Sequence, residues 1–154
     1  NKKMNKQELL AKLSATKTET SQYYDLVETD LAKTRYEGSW NIRQILHHLA
    51  DTEMILHVRI KKVIAETKQV VWNCEQDDWD ATFGYFDEPL GVKKQAFEVT
   101  RQLNFELTNY FFDGFAKKEF VHSEEGLRTV KDELEKIASH NEKHLEQIRV
   151  ALGK

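Results

Sequence analysis

The 154-residue sequence contains one cysteine, one proline and only six glycines. The single cysteine, Cys74, cannot form an internal disulfide, which indicates a reducing compartment and predicts a cytoplasmic protein. Strands joined by tight turns need more proline and glycine than this chain has. No apolar run approaches the roughly 18 residues that span a bilayer, and the polar N-terminus lacks the apolar stretch of a signal peptide. We therefore expect a helical protein with no membrane partner.

The charge balance argues against a second class of partner. Lys and Arg number 23 against 26 Asp and Glu, a formal net charge of −3. Proteins that bind nucleic acids usually carry a basic excess, so we expect no nucleic-acid partner. Apolar residues make up 40% of the chain, enough to form a buried core. The length corresponds to one domain, so we expect residues 1–154 to form a single domain.

Four segments repeat apolar residues at helical spacing. They cover residues 6–27, 41–66, 89–113 and 129–153, each to within a few residues. Capping boxes open the second and fourth segments, with Asn41 and Thr129 as their N-caps. The third segment places Phe97, Val99 and Leu103 among its candidate core positions. Four helices of this length predict an all-α four-helix bundle.

Residues 67–88 form a long connection between the second and third predicted helices. It joins an acidic stretch, Glu75 to Asp80, to a series of aromatic residues: Trp72, Trp79, Phe83, Tyr85 and Phe86. About twenty residues without a clear period is long for a compact domain, and such loops are often functional. Because so many aromatic side chains are costly to expose, we expect this acidic-aromatic loop to cover the bundle end or a pocket there.

Two of the six histidines, His140 and His144, lie four residues apart on the fourth predicted helix. That spacing puts both imidazoles on one face, one turn apart, where they can chelate one divalent cation. Two histidines that are merely exposed or at the edge of the core can have the same spacing. The spacing alone therefore does not distinguish a metal-binding pair from an ordinary one. On the second helix, His48 lies near the apolar stripe and is preferred over His47 as a third ligand. Asp51 is placed to orient a neighbouring imidazole, and its position is equally consistent with a charge that faces solvent.

Other catalytic templates are absent from the sequence. Asn141 follows His140, where a metalloprotease HExxH motif requires glutamate. Glu119 and His122 have the Glu-x-x-His spacing of di-iron bundles but fall in a predicted loop. The sequence has no glycine-rich phosphate loop and no G-x-S-x-G motif. The acidic surroundings of Cys74 raise the pKa of its thiol and argue against a thiolate nucleophile.

Two motifs carry a family resemblance. The segment Ser39–Glu53, SWNIRQILHHLADTE, resembles the motif that opens the second helix in the DinB superfamily, especially in its YfiT-like branch. The segment His140–Ile148 is similar to the closing H-x-x-x-H-x-x-Q-I motif on that family's last helix. The acidic stretch before Trp79 is similar to the loop that follows the second helix in the YfiT-like branch.

The resemblance implies an up-down-down-up bundle that binds one divalent metal ion through His48, His140 and His144. It also implies a homodimer and a metal-dependent enzyme acting on a small-molecule substrate. The enzyme would use a low-molecular-weight thiol, as an S-transferase, or water, as a hydrolase. Zinc, nickel and iron all accept histidine ligands, so the metal is not specified. The alternatives are a non-catalytic metal-binding or stress-associated bundle, and a bundle whose histidines are ordinary core residues.

Overall fold

The computed structural model describes residues 3–67 and 70–154. Its elements are, in order, α1 (Lys6–Tyr23), α2 (Glu28–Leu31), α3 (Ile42–Ala65), β1 (Val70–Val71), α4 (Gln76–Phe83), α5 (Lys93–Phe115), β2 (Glu119–His122), β3 (Gly126–Thr129) and α6 (Val130–Ala151). Lys68 and Gln69, which belong to the long connection, lie outside the described residues. None of the helices in the described part of the chain is long and apolar enough to cross a membrane.

The four long helices α1, α3, α5 and α6 form a bundle. Helices α1 and α3 lie diagonally opposite each other, and each packs against both α5 and α6. Capping boxes begin α3 at Asn41 and α6 at Thr129, which confirms both predicted caps. A third capping box, at Asn5 before α1, was not predicted. These caps satisfy backbone N–H groups that the first turn of a helix leaves without partners.

The interior of the bundle has two apolar clusters separated by a polar layer. One cluster includes Leu9, Leu13, Leu56, Ile60, Leu134 and Ile137, and the other includes Ile42, Ile45, Leu46, Phe97, Leu145 and Ile148. Between them, the buried Arg101 guanidinium forms an ion pair with Glu53, with Nε 2.6 Å from Oε1. Arg101 also donates hydrogen bonds to Asn141 Oδ1 at 2.5 Å and to Thr16 Oγ1 at 2.7 Å. All four long helices therefore meet at one buried guanidinium.

The buried face of α5 differs from the predicted one. Phe97 is fully buried, as expected, but Val99 and Leu103 are exposed. The positions that face the interior instead are Thr100, Arg101, Asn104 and Thr108. Apolar spacing alone was misleading here, because the polar side chains of α5 find hydrogen-bond partners inside the bundle.

Three short strands interrupt the regions predicted as loops. Strand β1 pairs in parallel with β2, which pairs antiparallel with β3. The predicted loop around His122 is therefore a hairpin, and the long connection contains both β1 and α4. Helix α5 begins at Lys93, four residues after Pro89, which the sequence placed at or near the start of the helix. Strands of two to four residues are too short for their alternation to stand out in a sequence.

Candidate metal centre

Three histidine side chains meet where α3 packs against α6. His48 Nε2 lies 3.0 Å from His140 Nε2, which lies 3.1 Å from His144 Nε2. His140 and His144 are neighbours because four residues make about one helical turn, and the packing of α3 on α6 brings His48 to them. Among the described residues, these three form the one group of His, Cys, Asp or Glu side chains close enough to share a metal ion.

Burial keeps this cluster of imidazoles neutral. The loss of hydration lowers the pKa of His48 to about 3 and that of His144 to about 4. It lowers the pKa of His140 to about 2, with a further contribution from the other two imidazoles. Neutral imidazole is the form that binds a divalent cation, since its unprotonated nitrogen offers a lone pair.

The hydrogen bond from His144 to Gln147 fixes which nitrogen offers that lone pair. His144 Nδ1 lies 2.8 Å from the Gln147 side-chain oxygen, which can only accept a hydrogen bond. Nδ1 therefore carries the hydrogen, and the lone pair is on Nε2, which faces the other two imidazoles. Gln147 is part of the closing motif, but the sequence analysis gave it no role. Its position three residues after His144, on the same helix face, was the available signal.

The chemistry of this donor set fits a divalent cation. Lone pairs that converge at 3.0–3.1 Å repel one another unless a proton or a cation lies between them. The low pKa values of the three groups disfavour an additional proton at neutral pH, which leaves an Nε2–H tautomer of His48 or His140, or a cation, to bridge these contacts. Three imidazoles are also one of the donor sets of catalytic zinc sites.

A small pocket of about 160 Å³ opens beside the cluster. His48 and His140 form part of its wall, and Arg59 of α3 and Lys136 of α6 add cationic groups. Further polar side chains come from Asn73 and Cys74 between β1 and α4, from Gln76 at the start of α4, and from Thr52 of α3. Burial raises the pKa of the Cys74 thiol, which agrees with the prediction that it is not a thiolate nucleophile.

Three of the five aromatic residues of the connection lie elsewhere. Trp79, Phe83 and Tyr85 line a separate cavity of about 570 Å³, which they share with His47. The connection therefore does reach the histidine cluster, but through its polar residues. The Tyr85 ring stacks on the His47 ring with centroids 4.5 Å apart. Three of the aromatic residues expected to cover the bundle end or a pocket there therefore line a cavity, which is distinct from the pocket beside the histidine cluster.

The other histidines and Asp51 have partners outside the cluster. His47 Nε2 donates to the backbone oxygen of Glu88 at 2.8 Å, and His57 Nδ1 lies 2.8 Å from Asn104 Oδ1. His122 Nδ1 accepts from two backbone N–H groups that follow it. Asp51, expected to orient an imidazole, instead accepts hydrogen bonds from the Tyr85 hydroxyl and from Lys93 Nζ.

Known proteins resemble this chain over most of its length. A protein-family model for the DinB superfamily matches residues 12–148. A "putative metal-dependent hydrolase" of Oceanobacillus iheyensis is 31% identical over 132 residues, which cover 83% of this chain and 73% of the relative. A protein with the same description from Halalkalibacterium halodurans is 27% identical over 127 residues, which cover 82% of this chain and 74% of that relative.

A solved structure has the same fold. YfiT from Bacillus subtilis superposes with a TM-score of 0.84, covering 99% of this chain and 90% of that chain, at 19% identity. It is described as "a probable metal-dependent hydrolase with an unusual four-helix bundle topology". The likeness confirms the predicted four-helix bundle. The match of the family model to residues 12–148 shows that the chain belongs to the DinB superfamily.

Proposed function

We propose that this protein is a metal-dependent enzyme in which His48, His140 and His144 hold one divalent cation. The observation that carries the proposal is the convergence of three neutral imidazole nitrogens beside an open pocket. The descriptions of the two relatives as metal-dependent hydrolases support it. In this proposal the pocket receives the reacting part of a small-molecule substrate.

The side chains around the pocket have definite roles in this proposal. A divalent cation held by three imidazoles leaves room for a water or a thiol and lowers the pKa of either. Arg59 is a fixed cation because Glu133 and the backbone oxygen of Trp72 both hold its guanidinium. It is therefore suited to stabilise negative charge that develops on a substrate. Asn73 and Gln76 offer amide groups that can orient the substrate.

Two nucleophiles suit this site. Water is supported by the hydrolase descriptions of the relatives. A low-molecular-weight thiol is supported by the lining of the pocket, because the described residues that form it include no carboxylate to act as a general base. A thiol whose pKa is lowered by the cation attacks an electrophile without such a base, whereas a water molecule in the same pocket would depend on the cation alone for its deprotonation. We therefore favour thiol S-transfer, with hydrolysis as the second candidate.

Metal content tests the centre itself. Untagged wild-type protein is compared with His48→Ala and His140→Ala by elemental mass spectrometry, with His57→Ala as a control outside the cluster. We expect about one equivalent of metal in the wild type and in the control, and little in the two cluster variants. A wild type that takes up neither zinc nor nickel would refute the proposal.

Activity assays then separate the candidate functions. Metal-loaded protein is offered a small thiol with a model electrophile, and separately an activated ester. Conjugation that is lost in His48→Ala supports S-transfer, and ester hydrolysis lost in the same variant supports the hydrolase. Protein that binds metal but catalyses neither reaction, and whose metal accepts no added thiol, would favour the non-catalytic metal-binding alternative.

A further inference from the structure

An apolar groove of about 450 Å³ lies next to the pocket of the candidate metal centre. Met54 and Val58 of α3 form one side, and Val70 and Trp72, in and after β1, form the other. All four side chains are exposed, Val58 by 57% and Trp72 by 77%. A contiguous exposed apolar surface of this kind commonly marks a binding site.

The groove and the pocket share a boundary. Ile55 and Arg59, one helical turn apart on α3, line both of them. The Arg59 guanidinium is held at this boundary by Glu133 Oε2 at 3.3 Å and by the backbone oxygen of Trp72 at 2.8 Å. The pocket and the groove are therefore adjacent, with Ile55 and Arg59 between them.

The pocket and the groove differ in size, which suggests that they bind different parts of one ligand. Sites for drug-sized ligands usually measure about 300–1,000 Å³, whereas the pocket measures about 160 Å³. The pocket therefore has room for a small head group only. The groove is larger and mainly apolar, and along α3 it extends from Met54 to Lys62, about 12 Å at the helical rise.

We propose that the groove holds the apolar tail of the substrate while its polar head reaches the three histidines. The substrate class is thus an amphipathic small molecule with a compact polar head and an alkyl or aryl tail. The position of the head rests on the proposed function, whereas the tail site rests on the groove. Tail burial against Val58 and Trp72 supplies binding energy remote from the reacting atoms.

A homologous series of alkyl hydroxamates tests this inference, because the hydroxamate head binds divalent metals and the tail length varies freely. Acetohydroxamate through octanohydroxamate are titrated into zinc-loaded protein by calorimetry. Acetohydroxamate reports on the head alone. We expect each added methylene to tighten binding by about two- to fourfold until the groove is filled.

A pair of matched variants places the tail. Val58→Asn puts a polar group in the groove, and Val99→Asn makes the same change at a similarly exposed helical position on α5. We expect Val58→Asn to reduce the gain per methylene and to leave the affinity for acetohydroxamate unchanged. We expect Val99→Asn to show the same increase in affinity per methylene as the wild type. Trp72→Ser, on the opposite side of the groove, acts like Val58→Asn.

Several results would overturn the tail site. The tail site is wrong if the affinity for the hydroxamates does not depend on tail length. It is also wrong if each methylene raises the affinity equally in Val58→Asn and in the wild type. A flat series, together with a dimer that Val58→Asn dissociates, would assign the groove to a second copy of this chain and not to a substrate.

A second measurement separates failure of the groove from failure of the centre. Octanoate is added to metal-free protein, and the methyl signals of Met54, Val58 and Val70 are followed by NMR. If these signals shift in the wild type but hydroxamates do not bind zinc-loaded protein, the groove stands and the metal-centre proposal fails. If octanoate shifts none of them and no hydroxamate binds, the tail site is wrong.

Discussion

The Nδ1–H group of His144 donates a hydrogen bond to the side-chain oxygen of Gln147, three residues later on α6, at 2.8 Å. This bond sets both the tautomer and the ring orientation of His144, so that Nε2 faces His48 and His140. Partners of this kind outside the ligand set determine how well a histidine binds metal. Gln147 is therefore a positioning residue of the candidate centre.

Replacement of Gln147 by alanine is expected to weaken zinc binding by about 10- to 100-fold, because His144 loses the acceptor that orients it. Competition titration with a chelator measures the change. Gln147→Glu restores an acceptor and should restore affinity. Glu146→Ala, at the neighbouring exposed position, is the control and should bind as the wild type does. Equal affinities in all four proteins would contradict the positioning role.

The metal-free protein is expected to lose stability as the pH falls below about 6.5, where free histidine begins to bind protons. The pKa values of His48, His140 and His144 are lowered to about 3, 2 and 4 in the folded chain. The unfolded state therefore binds more protons than the folded state between those values and 6.5. Each histidine contributes a slope of about 1.4 kcal/mol per pH unit in that range.

Urea unfolding in a chelating buffer at pH 7, 6 and 5 measures this slope. A His140→Gln variant removes one of the three groups, so its free energy of unfolding should fall less steeply with acid than that of the wild type. The comparison cancels the contribution of carboxylates, which titrate alike in both proteins. Parallel pH profiles would show that His140 is not held neutral by burial.

The buried ion pair of Arg101 and Glu53 is expected to be intolerant of a single substitution. Arg101→Met leaves the Glu53 carboxylate buried without its cation, which should cost about 3–5 kcal/mol of unfolding free energy. A double variant, Arg101→Met with Glu53→Leu, should recover part of the loss because no unpaired charge remains. Asp113→Asn removes the partner of Lys6 in an exposed pair and serves as the control, with an effect below about 1 kcal/mol. Urea denaturation measures all four proteins.

Two helix caps of the same residue type should contribute differently to the free energy of unfolding. Asn41 and Asn5 both form capping boxes, but Asn41 is buried and its Nδ2 also donates to the backbone oxygen of Phe86 at 3.1 Å. Asn5→Ala should cost about 1 kcal/mol of unfolding free energy, and Asn41→Ala more than that. Thermal and urea unfolding measure the difference. Equal costs would mean that the contact with Phe86 contributes nothing.

The helices and their caps follow from local sequence, and for that reason they were predictable. The capping boxes at Asn41 and Thr129 depend on residues three positions apart, and the apolar stripe of α3 depends on its own periodicity. The proximity of His140 and His144 is local in the same way. Their binding of a metal stays a prediction that the experiments above test.

Apart from the local cap at Asn5 and the contact between His144 and Gln147, the features described here that sequence reasoning missed depend on distant parts of the chain. Strand β1 exists because Val70 pairs with Val121, about fifty positions later. Arg101 is buried because Glu53 and Asn141 reach it from other helices. Periodicity treats each helix by itself, so it assigned Val99 and Leu103 to the core and overlooked the polar interior of α5.

The three clustered histidines and the opposite wall of the pocket are held by different kinds of backbone. The histidines belong to long, packed helices, whereas Asn73 and Cys74 follow a strand that pairs with β2 at two positions only. Exchange of this short linker would therefore change which molecules enter while the imidazoles keep their places. In an evolving lineage, or in a directed-evolution library confined to residues 70–76, selectivity can diversify separately from reactivity.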